Sequence, residues 1–139
     1  MPAQSLETDV LVIGCGIAGA SAALDAAKSG QNVLVISKNA TAEESNTYYA
    51  QGGIVSLGPN DYPELLAGDI IAAGDNINNP EAVELLASEA SQLVDSILLK
   101  ELRIPFTRSS PERLDYAQEG GHSRRRILHV KDTTGKTIE

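Results

Sequence analysis

Cysteine is almost missing from this sequence. Cys15 is the only one among 139 residues, which excludes an intramolecular disulfide framework. Basic side chains are missing from the N-terminal stretch: none precedes Lys28, so the start lacks the charged opening of a signal peptide. No apolar run approaches the roughly 18 residues that would span a bilayer, and no membrane partner is expected. Positive charge is short overall. Eleven Lys and Arg face 19 Asp and Glu, a formal net charge of −8, which excludes a general nucleic-acid binder. Histidine is limited to His122 and His129, and two histidines without tight spacing make a poor metal site. These absences together point to a cytoplasmic chain.

What remains is ordinary globular material. The apolar share is 42 % and the charged share 22 %, values that argue against intrinsic disorder. A chain of this length buries roughly 65–70 % of its unfolded surface, enough for one domain with a core. Charge is unevenly spread. Residues 1–102 carry three basic and 14 acidic side chains, a net −11, whereas residues 103–139 carry eight and five, a net +3. The basic tail is either a solvated surface or a patch that meets a small anion such as a dicarboxylate or a phosphate.

The pattern along the chain predicts an α/β fold. Thr8 to Ile13 (TDVLVI) and Val33 to Ile36 (VLVI) read as short strands buried on both faces, as in a parallel sheet. Between them an alanine-rich helix runs to about Ser29, with Gly30 placed to end it in a left-handed conformation. Residues 8–36 thus form a βαβ unit. Residues 39–60 read as loop with room for a short helix. Asp61 can cap a helix with Pro63 and Glu64 in its first turn and an apolar face of Leu65, Leu66, Ile70 and Ile71. Asn79-Pro80-Glu81 opens a second helix near 80–100, along which Val83, Leu86, Ala90, Leu93, Val94, Ile97 and Leu98 keep helical spacing. Ile104-Pro105-Phe106 is extended, 109–123 is irregular, Arg126 to Val130 suits a short strand, and Thr133-Thr134-Gly135 a turn.

Gly14, Gly16 and Gly19 form G-x-G-x-x-G after a buried strand and at the start of a helix, the context that gives the motif meaning. The first glycine permits the tight turn, the second lets backbone approach a pyrophosphate, and the third lets helix and strand pack. The helix N-terminus offers free N–H groups and partial positive charge to a phosphate. A carboxylate for the ribose hydroxyls is expected about 20 residues on. The sequence has Ser37-Lys38 there instead, and Glu43 and Glu44 come too late for a plain NAD pattern.

The segment Ser45-Asn46-Thr47-Tyr48-Tyr49-Ala50-Gln51-Gly52-Gly53-Ile54 resembles the flavin-contacting loop of the succinate dehydrogenase and fumarate reductase flavoprotein family, in which Ser-Lys also ends the second strand. Within that family, Glu119-Gly120-Gly121-His122-Ser123, Arg125-Arg126-Ile127-Leu128-His129 and Asp132-Thr133-Thr134-Gly135 resemble the aspartate oxidase branch. The resemblance covers nearly the whole chain. It implies an incomplete Rossmann-like FAD-binding domain over 1–139, with the βαβ unit at 8–36, a flavin loop at 45–54, a helical segment at 61–101 and a substrate-side segment at 109–135. Lid and C-terminal domains would lie outside this sequence, and turnover by the piece alone is not expected.

Several site residues follow from the resemblance. Gly14, Cys15, Gly16, Ile17, Ala18 and Gly19 would lie against the FAD pyrophosphate, Lys38 near the adenosine, and Asn46, Thr47, Tyr48, Tyr49, Ala50, Gln51, Gly52 and Gly53 along the flavin. Asn46 stands where relatives that tether FAD have a histidine, which implies non-covalent FAD. Glu119 would meet the ammonium group of L-aspartate. The implied reaction is oxidation of L-aspartate to iminoaspartate by hydride transfer to FAD, with dioxygen or fumarate as electron acceptor and quinolinate synthase as a partner in NAD biosynthesis. Two alternatives remain: a segment of a fumarate reductase or succinate dehydrogenase-like flavoprotein, and a non-catalytic nucleotide-binding module. Tyr48 and Tyr49 also suit plain core. Arg124, Arg125 and Arg126 suit a solvated edge or partners for acids of the segment outside this sequence.

Overall fold

The computed structural model describes residues 5–41 and 43–139. Residues 1–4, and Ala42 within the loop expected at 39–60, lie outside the described residues. Strand β1 (Val10–Ile13) pairs in parallel with β2 (Val33–Ile36), Val10 opposite Val33 through Ile13 opposite Ile36. Helix α1 (Ile17–Lys28) connects them. Gly30 has φ +82°, so the left-handed stop expected after α1 is present. The expectation that both strands are buried on both faces is overturned. Leu11, Ile13, Val35 and Ile36 are all exposed, Ile13 at 79 %. The cause is the small sheet itself: α1 packs on β1 and β2, but among the described residues the sheet has only two strands, so each is an edge.

A short helix α2 (Asn46–Tyr49) follows, capped by the Ser45 hydroxyl, which accepts from the Tyr48 amide at 3.0 Å. Strand β3 (Ile54–Val55) leads to helices α3 (Pro63–Ala73) and α4 (Pro80–Leu93), which pack on each other through the buried Leu66, Val83 and Ala87. The Asn79 side chain caps α4 by accepting from the Ala82 amide at 3.3 Å, as the sequence predicts. Asp61 does not cap α3. The N-cap is Tyr62, because the Asp61 carboxylate is taken by a distant arginine described below. Helix α4 passes directly into a π-helical stretch, Val94–Glu101. Of the expected apolar stripe, Val83, Val94 and Leu98 are buried, whereas Leu86 and Leu93 are half exposed.

The rest of the chain is more regular than its composition suggests. Strands β4 (Arg108–Ser110) and β5 (Arg113–Leu114) form a bulged hairpin. Strands β6 (Tyr116–Ala117) and β7 (Ile127–Leu128) join β3 in an antiparallel sheet of order β3-β7-β6. The expected turn at 133–135 is instead the start of helix α5 (Thr134–Ile138). The main core gathers Val94, Leu98, Phe106 and Leu128, with Ile54, Ile104 and Ile138 packed around it. This core brings the π-helical stretch, β7 and α5 to the flank of the loop at 45–54. No helix among the described residues is long and apolar enough to cross a membrane.

Candidate functional site

The site is assembled around the turn from β1 into α1. Gly14 sits at φ +108°, a conformation that side-chain-bearing residues rarely adopt. A Cβ on Gly19 would collide with the Gly14 carbonyl and lie 3.3 Å from Val12 Cγ1, so this glycine is what lets α1 start against β1. Gly16 is the N-cap of α1. A Cβ there would stand 3.2 Å from the Thr47 hydroxyl, which accepts from the Ile17 amide at 3.0 Å. One of the first-turn N–H groups that a helix leaves unpaired is thereby used to dock α2 onto the glycine loop.

The result is a cleft of about 410 Å³ lined by Gly14, Cys15, Gly16, Ile17, Ala18, Gly19, Ser37, Lys38, Glu44, Ser45, Asn46 and Thr47. Backbone amides at a helix N-terminus suit a pyrophosphate, and Lys38 lines the same cleft. A Cβ built on Gly14 meets nothing within 4 Å, so the backbone is open to a ligand there. Among the described residues Glu44 is the one acid lining the cleft, and its Oε2 accepts from the Tyr49 hydroxyl at 2.9 Å. That bond, together with the Glu44 charge, raises the Tyr49 phenol above its usual range. The donor set fits the diphosphate part of a dinucleotide.

The stretch expected along the flavin divides in space. Asn46 and Thr47 face the glycine cleft. Tyr48, Tyr49, Ala50 and Gln51 border a separate hollow of about 270 Å³ shared with Asp132, Thr133 and Lys136. The two tyrosine rings meet edge to face at 5.4 Å, and Lys136 Nζ stands 5.7 Å from the Tyr48 ring centre. Gly52 lies against Glu119: a Cβ there would be 2.9 Å from Glu119 Oε1. The structure thus brings Glu119 to the loop at 45–54, although 67 positions separate it from Gly52.

Helix α5 braces this loop in a way that sequence reasoning missed. The Gly135 amide donates to the Ala50 carbonyl at 2.9 Å. The Thr134 hydroxyl donates to the Gly52 carbonyl at 3.1 Å and accepts from the Val130 amide at 2.9 Å. A Cβ on Gly135 would collide with the Thr47 and Ala50 carbonyls.

Arg126 is the second omission. Its guanidinium is fully buried. Nε and Nη2 donate to the two Asp61 oxygens at 2.7 and 2.8 Å, and Nη1 donates to Asp69 Oδ2 at 2.7 Å. The expectation of a solvated edge therefore fails for Arg126, while Arg124 and Arg125 are exposed. No local spacing signals such a pair, since its members lie 57 and 65 positions apart. Asp69 Oδ2 also accepts from the Ser123 amide at 2.7 Å and hydroxyl at 2.9 Å. Desolvation pushes the Asp69 carboxyl upward most strongly, but the Ser123 bonds and the Arg126 charge together outweigh it and hold the group below the ordinary carboxylate value.

The sign of the resulting pH dependence follows. A carboxyl with a depressed folded-state pKa contributes stability above its unfolded value of about 3.9, and that contribution is lost as pH falls through the lower folded value. Wild-type stability is expected to fall more steeply than that of Asp69→Asn below about pH 4. Denaturation midpoints against pH for the two proteins check this.

Comparison with known proteins accords with this geometry. The family profile described as FAD binding domain matches residues 9–139. L-aspartate oxidase from Halobacterium salinarum is 47 % identical over 131 residues, covering 94 % of this chain and 25 % of that protein. L-aspartate oxidase from Mycobacterium tuberculosis is 38 % identical over 141 residues, covering 99 % and 26 %. The chain therefore spans about a quarter of the length of these relatives. Among solved structures, Mycobacterium smegmatis Sdh1 superposes with a TM-score of 0.85 at 32 % identity, covering 94 % of this chain and 22 % of that one. The E. coli quinol fumarate reductase FrdA superposes at 0.89 with 24 % identity, covering 98 % and 23 %, a likeness of fold. With a glycine cleft whose backbone donors fit a dinucleotide diphosphate and the family profile matched over residues 9–139, this chain belongs to the FAD-binding domain family and has FAD as its cofactor.

Proposed function

We propose that this chain is the N-terminal FAD-binding segment of a cytoplasmic L-aspartate oxidase. The observation that carries the reading is the carboxylate of Glu119 lying against Gly52 of the loop at 45–54. The L-aspartate oxidase relatives support it. The chemistry that FAD supplies when bound is acceptance of a hydride from the substrate's Cα; with the amine proton passing to a base, this would turn L-aspartate into iminoaspartate, with dioxygen or fumarate as the final acceptor. Iminoaspartate would feed quinolinate and NAD biosynthesis, which makes quinolinate synthase the natural partner.

The residues of this chain have binding and orienting tasks. The first-turn amides of α1 hold the diphosphate side of the cofactor, with Lys38 near its adenosine. Asn46 and Thr47 border the same cleft, and Tyr48 to Gly53 carry the loop on toward Glu119. Asn46 has no nucleophilic imidazole, so FAD is held non-covalently. Acid precipitation of the FAD-loaded protein is expected to release all of the flavin into the supernatant. Colour in the pellet would sink this part of the reading.

Glu119 holds the substrate ammonium. Removing its charge forfeits a charge-assisted hydrogen bond. Glu119→Gln is expected to raise the KM for L-aspartate about ten- to a hundredfold, and to change the affinity for succinate, which has no ammonium, by less than about twofold. Equal losses for both ligands would make Glu119 structural. A second reading, an Sdh1-like flavoprotein acting on an unaminated dicarboxylate, is favoured by the likeness to Sdh1. That reading requires succinate to be the better substrate.

A further inference from the structure

Between α3 and β7, Arg126 does more than fill a buried position. Its backbone amide donates to the Ala117 carbonyl at 3.1 Å, and its carbonyl accepts from the Ser56 amide at 2.8 Å. Arg126 thus ties the strand before Glu119 to the segment leaving the loop at 45–54. Its side chain grips Asp61 through two bonds and Asp69 through one. Asp69 then passes the constraint on, because the oxygen that meets Arg126 also accepts both bonds from Ser123. Between Ala117 and Ser123 the chain closes on itself: the His122 amide donates to the Glu119 carbonyl at 3.3 Å, and Gln118 Nε2 donates to the His122 carbonyl at 2.7 Å. Glu119 is an exposed residue on a turn whose two ends are both fastened to Arg126, one by its backbone amide and the other by its guanidinium through Asp69.

We propose that Arg126, Asp69 and Ser123 form a positioning relay that fixes the Glu119 turn against Gly52 and so sets the preference for an aminated over an unaminated dicarboxylate. This rests on the reading of Glu119 given above. The relay touches neither cofactor nor substrate. It acts by limiting where the Glu119 carboxylate can stand. Asp61 anchors the guanidinium, and Asp69 carries its constraint across to the Ser123 end of the turn. Ser123 is the weakest member structurally, since it is exposed, so its hydroxyl can be removed without opening the core.

The test uses the full-length FAD-loaded enzyme that contains this segment, carrying Ser123→Ala, with Asp69→Asn as a second variant and Glu119→Gln in parallel. Amide hydrogen exchange at residues 119–123 is expected to quicken at least about fivefold in Asp69→Asn, and by a smaller factor in Ser123→Ala, while β1 and α1 keep wild-type protection. The KM for L-aspartate is expected to rise about three- to tenfold in both, with kcat within about twofold and succinate affinity unchanged. Unchanged exchange at 119–123 overturns the proposal. Equal losses for L-aspartate and succinate also overturn it, since a merely structural role predicts them. If Glu119→Gln raises the L-aspartate KM and the relay variants do not, the relay is at fault. If Glu119→Gln itself has no effect, the reading of Glu119 has failed, and that failure is visible separately.

Discussion

Arg126→Met is expected to destabilise the fold by about 3–5 kcal/mol, the range for removing one partner of a buried ion pair. The side chain has no exposed surface, and Asp61 has none beside it. Taking away the guanidinium leaves the Asp61 carboxylate desolvated and uncompensated, and that penalty exceeds the loss of the contacts themselves. Domains of this size have only about 5–15 kcal/mol of stability, so the effect is a large fraction of the total. Arg126→Lys keeps the charge but lacks the planar fork that meets both Asp61 oxygens, and should fall between the two. Adding Asp61→Asn to Arg126→Met should recover part of the loss by removing the stranded charge. Urea denaturation midpoints measure all three. A loss below about 1 kcal/mol for Arg126→Met, the usual worth of a surface pair, would contradict this account.

Gly19→Ala is expected to be the most damaging methyl group that can be added to the glycine motif. The added carbon would collide with the Gly14 carbonyl, which is backbone and cannot rotate away. Either α1 shifts or the β1 turn opens, and both disturb the cleft. FAD retention after gel filtration should be lost, together with about 1–3 kcal/mol of stability in the absence of flavin. Gly16→Ala gives the contrast. Its Cβ would stand 3.2 Å from the Thr47 hydroxyl, a clash relieved by a shift of a few tenths of an ångström. Stability should fall by less than about 1 kcal/mol, while FAD retention drops because the methyl group intrudes where the pyrophosphate approaches. Equal stability for the two variants without flavin would contradict the separate tasks given to these glycines.

The legible parts of the fold are those whose signals are local. The β1-α1-β2 unit shows in two short apolar runs around G-x-G-x-x-G, and its stop at Gly30 needs only one left-handed residue. Asn79-Pro80-Glu81 marks the start of α4 because cap, proline and acid lie next to one another. The strands from Arg108 to Leu128 are two or three residues long, too short for alternation to register. The π-helical turn at Val94 keeps an apolar spacing that an ordinary helix would also show, and α5 has five residues.

The candidate site divides along the same line. The glycine cleft is readable from neighbours in sequence, and Lys38, the loop at 45–54 and Glu119 are singled out by resemblance. The braces behind them are long-range: Thr134 bonds Gly52 across 82 positions, and Arg126 meets Asp61 across 65. Asp61 illustrates the trap. Its place before Tyr62-Pro63 suggests a helix cap, and only the folded chain reveals that its carboxylate belongs to Arg126.

The most direct test of the central claim is an anaerobic titration of the FAD-loaded protein carrying this sequence, following the visible flavin absorption band. L-aspartate is expected to bleach the band, and succinate at the same concentration to leave it intact. Bleaching by succinate with none by L-aspartate would contradict the assignment of an aspartate-oxidising site and favour the Sdh1-like reading.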